Sequence, residues 1–349
     1  MSLIDKLSKA VKNSPATLMS ESPLFNEKDS IPTNIPIINV AFSGRLDGGL
    51  VPGLTILAGE SKCFKTLLGL YCMKAYFEKY PDAIALVYDS EFGITPDYLT
   101  SIGIDTARVI HIPLEHIEQL KFDIVKRLEE IKRGDKVFLM VDSLGNLASK
   151  KEVEDASEGK SVGDMSRAKA IRSLLRMITP HLTIKDIPCI IVNHIYQTME
   201  MYSKAVVGGG TAVTYASNQI FIITKAQEVV EVEKKKNLIG WNFTINIEKS
   251  RFVKERSRLP FTVTFENGIK QWSGLFDIAI KGNFLASPNV GWYSYVDEDG
   301  VIDSKKFRLK DTESMEFWQP FLDNERFKQY VKDRYSVSGN KLFQEDEVE

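Results

Sequence analysis

Gly59-Glu60-Ser61-Lys62-Cys63-Phe64-Lys65-Thr66 is the stretch on which the fold turns. It follows the apolar run Leu54-Thr55-Ile56-Leu57-Ala58 and precedes a helical pattern over 66–80, so it reads as a phosphate-binding strand–loop–helix. In such a loop successive backbone N–H groups and the helix N-terminus surround the phosphates; the lysine neutralises their charge and the threonine hydroxyl binds Mg²⁺. Glycine ordinarily precedes that lysine, whereas this chain has Phe64. Phenylalanine does not cheaply adopt positive φ. The reading therefore requires ordinary backbone angles at Phe64 and a ring that points away. Taken alone, the octamer also fits a strand–helix loop carrying a chance Lys-Thr pair.

Working outward, further apolar strands are expected at 83–88, 109–112, 137–141 and 188–192, with helices at 116–132 and around 165–180. Near-continuous apolar strands alternating with helices mark a parallel sheet covered on both faces. After Gly210 the rhythm changes. Segments 219–225, 241–249 and 259–265 read as successive antiparallel strands, with the charged stretch 226–240 as a long hairpin connection. A helix near 273–282, a strand at 291–295 and a helix over 313–334 make a small C-terminal α+β unit. Residues 1–35 read as an arm, 36–270 as the core and 271–349 as the C-terminal domain.

Two acidic clusters end strands on the loop's side of the sheet. Val137-Phe138-Leu139-Met140-Val141-Asp142-Ser143 places a carboxylate where it can hold Mg²⁺ beside the loop. Tyr88-Asp89-Ser90-Glu91 ends the neighbouring strand, and parallel sheets carry their ligand sites at those ends. Glu91 is then a candidate general base for activating water; spacing alone leaves it equally a capping or solvated carboxylate.

The 349 residues predict two domains, at roughly 150 residues each. A hydrophobic content of 43% with 26% charged residues excludes a disordered, collagen-like or coiled-coil chain. No run approaches the ~20 apolar residues of a membrane span, and the N-terminus lacks the apolar core of a secretory signal. Three cysteines (Cys63, Cys72, Cys189) lack disulfide or metal-site spacing and imply reduced thiols in a cytoplasm. Net charge is −2, but residues 311–349 carry −5, leaving +3 on residues 1–310. The chain ends in an acidic tail, Gln344-Glu345-Asp346-Glu347-Val348-Glu349. Net charge therefore decides nothing about nucleic acid.

Asp89-Ser90-Glu91-Phe92-Gly93-Ile94-Thr95-Pro96-Asp97-Tyr98, with Gly103-Ile104-Asp105, resembles the stretch after the second core strand of RecA-type recombinases. Val141-Asp142-Ser143-Leu144, Ile191-Val192-Asn193-His194 and Gly208-Gly209-Gly210 follow in that family's order and spacing. A phage branch of the family also has Phe before the loop lysine and shares the run Asp142-Ser143-Leu144-Gly145-Asn146-Leu147-Ala148-Ser149-Lys150-Lys151. The resemblance covers about residue 25 to at least 320. It implies a RecA-type P-loop ATPase core, a mostly parallel sheet flanked by helices with antiparallel strands after a second DNA loop. An N-terminal oligomerisation arm and a small C-terminal domain complete the expected architecture.

Position by position, the resemblance implies ATP and Mg²⁺ as cofactors, held by Gly59, Glu60, Ser61, Lys62, Cys63, Phe64, Lys65 and Thr66. Thr66 and Asp142 would bind the metal, and Tyr98 would stack on adenine. Glu91 would activate water, and His194 would sense the γ-phosphate where RecA itself has glutamine. Lys249 and Arg251 would reach a neighbouring subunit's phosphates, with Arg in place of the family's second lysine. DNA contacts fall on two loops. The first spans about 151–165 and is too acidic for composition to suggest DNA. The second spans about 195–210 and includes Tyr196, Met201, Tyr202, Lys204, Gly208, Gly209 and Gly210; it offers the cation, glycines and aromatics that single strands need. Without the resemblance, Tyr98 reads as core, His194 as structural and both loops as merely flexible. The implied partners are single- and double-stranded DNA, further copies in a helical filament, a single-strand-binding protein and a recombination mediator, in a bacterial host cytoplasm and at no membrane. Two rival readings are a mediator that binds ATP without exchanging strands and a hexameric motor on the same core. Intact Lys65, Glu91 and Asp142 disfavour the first. The lack of a helicase-type N-terminal domain and the triple glycine disfavour the second.

Overall fold

Short apolar runs bounded by polar turns become strands of one sheet. The computed structural model describes residues 3–8, 18–22, 29–159, 166–197, 205–232 and 235–337. Helices α1 (Leu3–Ser8) and α2 (Pro36–Ser43) lead into β1 (Gly53–Gly59), α3 (Lys65–Lys79), β2 (Ile84–Asp89), α4 (Pro96–Ile102) and β3 (Val109–Pro113). Next come α5 (Ile117–Glu130), β4 (Val137–Asp142), α6 (Lys150–Ser157), α7 (Ser166–Ile184) and β5 (Pro188–Gln197). These five strands run parallel in the order β1-β5-β4-β2-β3. β6 (Ala205–Val207) folds back antiparallel on the end of β5 and leads to α8 (Thr211–Ala216). β7 (Gln219–Val232) then pairs parallel to β1. β8 (Lys235–Ser250), β9 (Arg258–Thr264) and β10 (Gly268–Ile269) extend the sheet antiparallel.

Side-chain alternation splits the core between the two faces. Leu57, Phe138, Phe221 and Phe243 pack with Phe42 and Leu70 on one side, and Ile56, Leu139 and Ile191 pack with Ile124 and Leu174 on the other. The C-terminal unit holds α9 (Leu275–Lys281), the hairpin β11 (Leu285–Asn289) and β12 (Trp292–Tyr295), α10 (Met315–Leu322) and α11 (Glu325–Tyr335). Its Trp272, Phe317, Trp318 and Phe327 continue the first apolar cluster without a break. Ile31 and Ile35, within the stretch read as an arm, are buried in that cluster too.

Four expectations change. The hairpin connection over 226–240 is itself paired strand: β7 and β8 continue through Glu228–Gly240 and Val229–Leu238 to Val232–Lys235 as a two-stranded ribbon. Apolar residues opposite one another and an Asn242–Glu228 side-chain hydrogen bond support pairing that the charge density disguises. The stretch expected as the first loop begins as helix α6, started by a capping box in which Ser149 accepts from the Glu152 N–H. The second loop is narrowed by pairing of Ile195–Gln197 with Ala205–Val207. The helix over 313–334 is two helices, because Asn324 accepts from the Phe327 N–H and starts α11 anew.

Candidate active site

The C-terminal ends of β1, β2, β4 and β5 bring Lys65, Thr66, Glu91, Tyr98 and His194 around a cleft of about 270 Å³ that Ser61–Leu67, Val192 and Phe243 complete. Lys65, at the start of α3, is buried, and its Nζ donates to the Glu60 carbonyl at 2.6 Å. That bond closes the loop onto its own lysine. Burial holds the ammonium below its usual pKa, against the raising influence of Cys63, Glu91 and Asp142.

Phe64 departs from its expected geometry. Its φ is 65° and ψ 10°, the left-handed region, and its ring turns inward. The ring centroid lies 5.1 Å from Phe243, 5.4 Å from Phe261, and 6.4 Å from Tyr71 at a 17° interplanar angle. The loop imposes the glycine-like angles. Left-handed backbone costs an L-residue roughly 1–2 kcal/mol. Burying a phenyl ring returns roughly 1.5–3 kcal/mol, and aromatic pairing adds to that. Packing on β8 and β9 therefore offsets the strain.

Thr66 Oγ donates to Asp142 Oδ2 at 2.7 Å. Asp142 is 2% exposed, and its Oδ1 is buried without a hydrogen-bond partner. Burial raises its pKa to about 6, helped by Glu91 and Asp89 and opposed by Thr66 and Lys65. A buried hydroxyl–carboxylate pair with one orphaned oxygen fits a hard divalent cation. Thr66 and Asp142 are the residues that would hold Mg²⁺, which supplies charge neutralisation to a bound triphosphate.

Glu91 is held from three sides. Its Oε1 accepts from Ser143 Oγ (2.7 Å) and Asn146 Nδ2 (3.0 Å) and lies 3.2 Å from His194 Nε2. Asp89, fully buried, accepts from the Glu91 and Phe92 N–H groups and faces His111 Nε2 at 3.2 Å, which fixes the turn that carries Glu91. Ser90 and Ser143 exchange hydrogen bonds and tie the ends of β2 and β4 together. Gly145 is needed beside them: a Cβ there would sit 2.5 Å from His194 Cδ2. Tyr98 rides on α4, whose N-cap Thr95 accepts from the Tyr98 N–H; its half-buried ring lines the cleft.

The site continues into the second loop. Gly208 N–H donates to the His194 carbonyl (3.0 Å), and Asn193 Nδ2 donates to the Gly208 carbonyl (2.8 Å). Gly209 and Gly210 have φ of 93° and 71°, angles that explain glycine at these positions. Tyr196 is half exposed on β5. Met201, Tyr202 and Lys204, like residues 160–165 of the first loop and the acidic tail, lie outside the described residues.

Lys249 and Arg251 are not brought to this cleft. Lys249 pairs with Ile220, which is level with Ile56, whereas the phosphate loop starts at Gly59, level with Ile223. Lys249 Nζ instead donates to the Thr214 (2.5 Å) and Ser217 (2.8 Å) carbonyls at the C-terminus of α8.

Three features are not foreseen from the sequence. Arg167 binds the Leu144, Gly145 and Leu147 carbonyls, which joins the start of α7 to the Asp142–Asn146 loop. A groove of about 540 Å³ between α7 and α8 is lined by Arg172, Arg176, Thr211 and Tyr215, the tyrosine 79% exposed. Lys225 approaches the Ser61 and Lys62 carbonyls of the phosphate loop from β7. Helical spacing i, i+4 already places Arg172 and Arg176 on one face; nothing local places them beside Tyr215.

Fold and site together define a P-loop protein of RecA architecture. Residues 26–270 match the RecA N-terminal domain, and residues 272–331 match the C-terminal domain of the bacteriophage T4 recombination and repair protein. The chain belongs to the RecA family of recombinases. It is 46% identical over 341 residues to the recombination and repair protein of Enterobacteria phage T4 (UvsX), spanning 95% of this chain and 86% of that protein. Protein RecA of Streptomyces avermitilis is 24% identical over 314 residues (88% of this chain, 77% of that one). Protein RecA of Leptospira meyeri is 23% identical over 293 residues (80% and 72%). No helix among the described residues is long and apolar enough to cross a membrane.

Proposed function

We propose that this recombinase binds ATP with Mg²⁺ in the cleft, assembles as a helical filament on single-stranded DNA and catalyses homologous pairing and strand exchange, with hydrolysis driving release. The observation that carries this reading is the path from Thr66 and Asp142 through Ser143, Glu91 and His194 to Gly208 at the end of the second loop. A γ-phosphate seated on Lys65 meets Glu91 and His194, and a shift that carries the His194 backbone is passed to Gly208 through its carbonyl. Glu91 is the general base: its anchored carboxylate accepts a proton from water aligned with the γ-phosphate. Lys65 and the loop N–H groups hold the phosphates, Tyr98 supports the base, and the elevated Asp142 pKa falls when a cation binds. Lys249 and Arg251 act on a neighbouring subunit, because the β8 register keeps them from their own site. DNA runs over the second loop and the Arg172–Tyr215 groove, where cations alternate with an aromatic face. A single-strand-binding protein and a loading mediator complete the assembly in the host cytoplasm.

The test is electron microscopy of the protein with ATP and single-stranded DNA, beside a strand-exchange assay. Helical filaments and exchanged strands are expected, both absent from Lys65→Ala. Rings, or filaments without exchange, refute the reading.

A further inference from the structure

Lys225 has no part in the roles assigned above. It lies two residues beyond Ile223, the β7 partner of Gly59, and so faces the same side of the sheet. Its Nζ stands 3.5 Å from the Ser61 carbonyl and 3.4 Å from the Lys62 carbonyl, and 5.0 Å from the centre of the Trp241 ring. Inside the loop, Lys62 (φ 60°) and Phe64 (φ 65°) are left-handed. Such residues, set among ordinary ones, turn successive N–H groups towards one concavity, an anion-binding nest. The carbonyls of those peptides then crowd the outer side, where their dipoles need a positive partner.

Lys225 supplies that charge. At 3.4–3.5 Å the contacts sit at the long limit of hydrogen bonding, so the attraction is chiefly between charge and dipole. The Trp241 face holds the ammonium in place. Lys225 is also among the charges that act on Lys65, although burial acts on Lys65 more strongly.

We propose that Lys225, seated on Trp241, is a positioning residue of the phosphate loop: it clamps the outward Ser61 and Lys62 carbonyls and so keeps the loop's N–H groups turned to the triphosphate before nucleotide arrives. The proposal rests on the ATP reading of the cleft. It differs from a phosphate contact in acting on the empty site.

The experiment uses the full-length protein with Lys225→Met, which keeps the apolar stem over Trp241 but not the charge, and with Lys225→Arg. Hydrogen exchange without nucleotide is followed at Leu68, whose N–H donates to the Phe64 carbonyl at the end of the loop (2.9 Å), together with melting temperature and DNA-stimulated ATP turnover. Lys225→Met should exchange faster at this amide and raise the KM for ATP about threefold, below the scale of a full charged hydrogen bond. Its kcat should change little and its melting temperature should hold. Lys225→Arg should restore exchange and KM. Wild-type exchange in Lys225→Met overturns the clamp, whatever happens to KM, since a raised KM alone would mark a direct phosphate contact. Failure of the wild-type protein to bind or turn over ATP would instead overturn the reading of the cleft.

Discussion

Glu91 Oε1 and His194 Nε2 meet at 3.2 Å above the end of β4, which lies between the strands that carry them. Ser143, at that end of β4, donates to the same carboxylate oxygen. Three strand ends thus converge on one atom. The backbone of His194 receives the Gly208 N–H from the far side of the second loop. The candidate base and the far end of the second loop are two ends of one short hydrogen-bonded path.

Glu91→Gln separates those ends. The amide keeps the shape and an acceptor for Ser143 and Asn146 but cannot take a proton. Hydrolysis should fall roughly 10²-fold or more, with ATP-dependent DNA binding retained or prolonged. Single-turnover hydrolysis beside DNA anisotropy measures both; unchanged turnover removes Glu91 from the mechanism.

Phe64 gives a stability test with an unusual order. In a helix, alanine is ordinarily preferred to glycine, but the 65° φ at this position reverses that preference. Both Phe64→Gly and Phe64→Ala lose the packing on Phe243 and Phe261, and only alanine keeps the strain. The glycine variant should be the more stable by about 1 kcal/mol in denaturant titration and should retain ATP turnover far better than Lys65→Ala. Equal stabilities would mean that the left-handed angles are not required.

The same residue shows where sequence stops being informative. The octamer, the apolar strands and the acidic strand ends are local patterns, and they place Lys65, Thr66, Glu91 and Asp142 at the C-terminal ends of the strands. The Phe64 conformation depends on aromatic partners on β8 and β9, some 180 residues away in the chain. The ribbon is hidden because its apolar residues Val229, Val230 and Leu238 stay exposed rather than marking a core face, so charge density outweighs alternation. The Ser149–Glu152 capping box and the Asn324 cap are local motifs that the sequence does carry, and they are where the expected loop and the expected single helix give way. Lys225 beside Ser61 follows only from the β1–β7 register.

Asp142 predicts a pH-dependent stability. Its native pKa of about 6 lies above the ordinary 3.8, so between those values the folded state binds the proton more tightly than the unfolded chain. Its contribution to stability therefore declines as pH rises through that window and stays reduced above it. Without Mg²⁺, Asp142→Asn should be more stable than wild type at pH 7, by about 1–3 kcal/mol. The gap should close towards pH 4. Mg²⁺ with ATP should stabilise the wild type and not the variant. Thermal melts at several pH values decide it; a pH-independent gap would show that the carboxylate is not strained.

The groove between α7 and α8 separates charge from stacking. Arg172→Ala and Arg176→Ala should each weaken single-strand binding and flatten its salt dependence, by about 0.7 in log–log slope for each phosphate no longer neutralised. Tyr215→Ala should weaken binding by about 1–3 kcal/mol through the absence of stacking, with the slope preserved. Nucleotide binding without DNA should survive in all three. Wild-type DNA affinity in the triple variant excludes the groove from the DNA path.

The final prediction concerns completion of the ATP site by a neighbour. In the single subunit Lys249 caps the carbonyl end of α8, a favourable place for a cation, and its level with Ile56 keeps it from the phosphate loop of its own chain. Reaching a neighbour's phosphates would require it to release Thr214 and Ser217, so that assembly and the helix after the second loop would compete for one ammonium. A cation supplied in trans stabilises charge in the transition state and makes hydrolysis depend on assembly. Lys65→Ala subunits keep the cations and lose the site; Lys249→Ala, Arg251→Ala subunits do the reverse. In filaments mixed from equal amounts, about a quarter of head-to-tail interfaces join a working site to working cations. ATPase activity should recover to about that share of wild type, while each variant alone stays inactive. Co-assembly without recovery tells against action in trans, and full activity of the Lys249→Ala, Arg251→Ala protein by itself ends it.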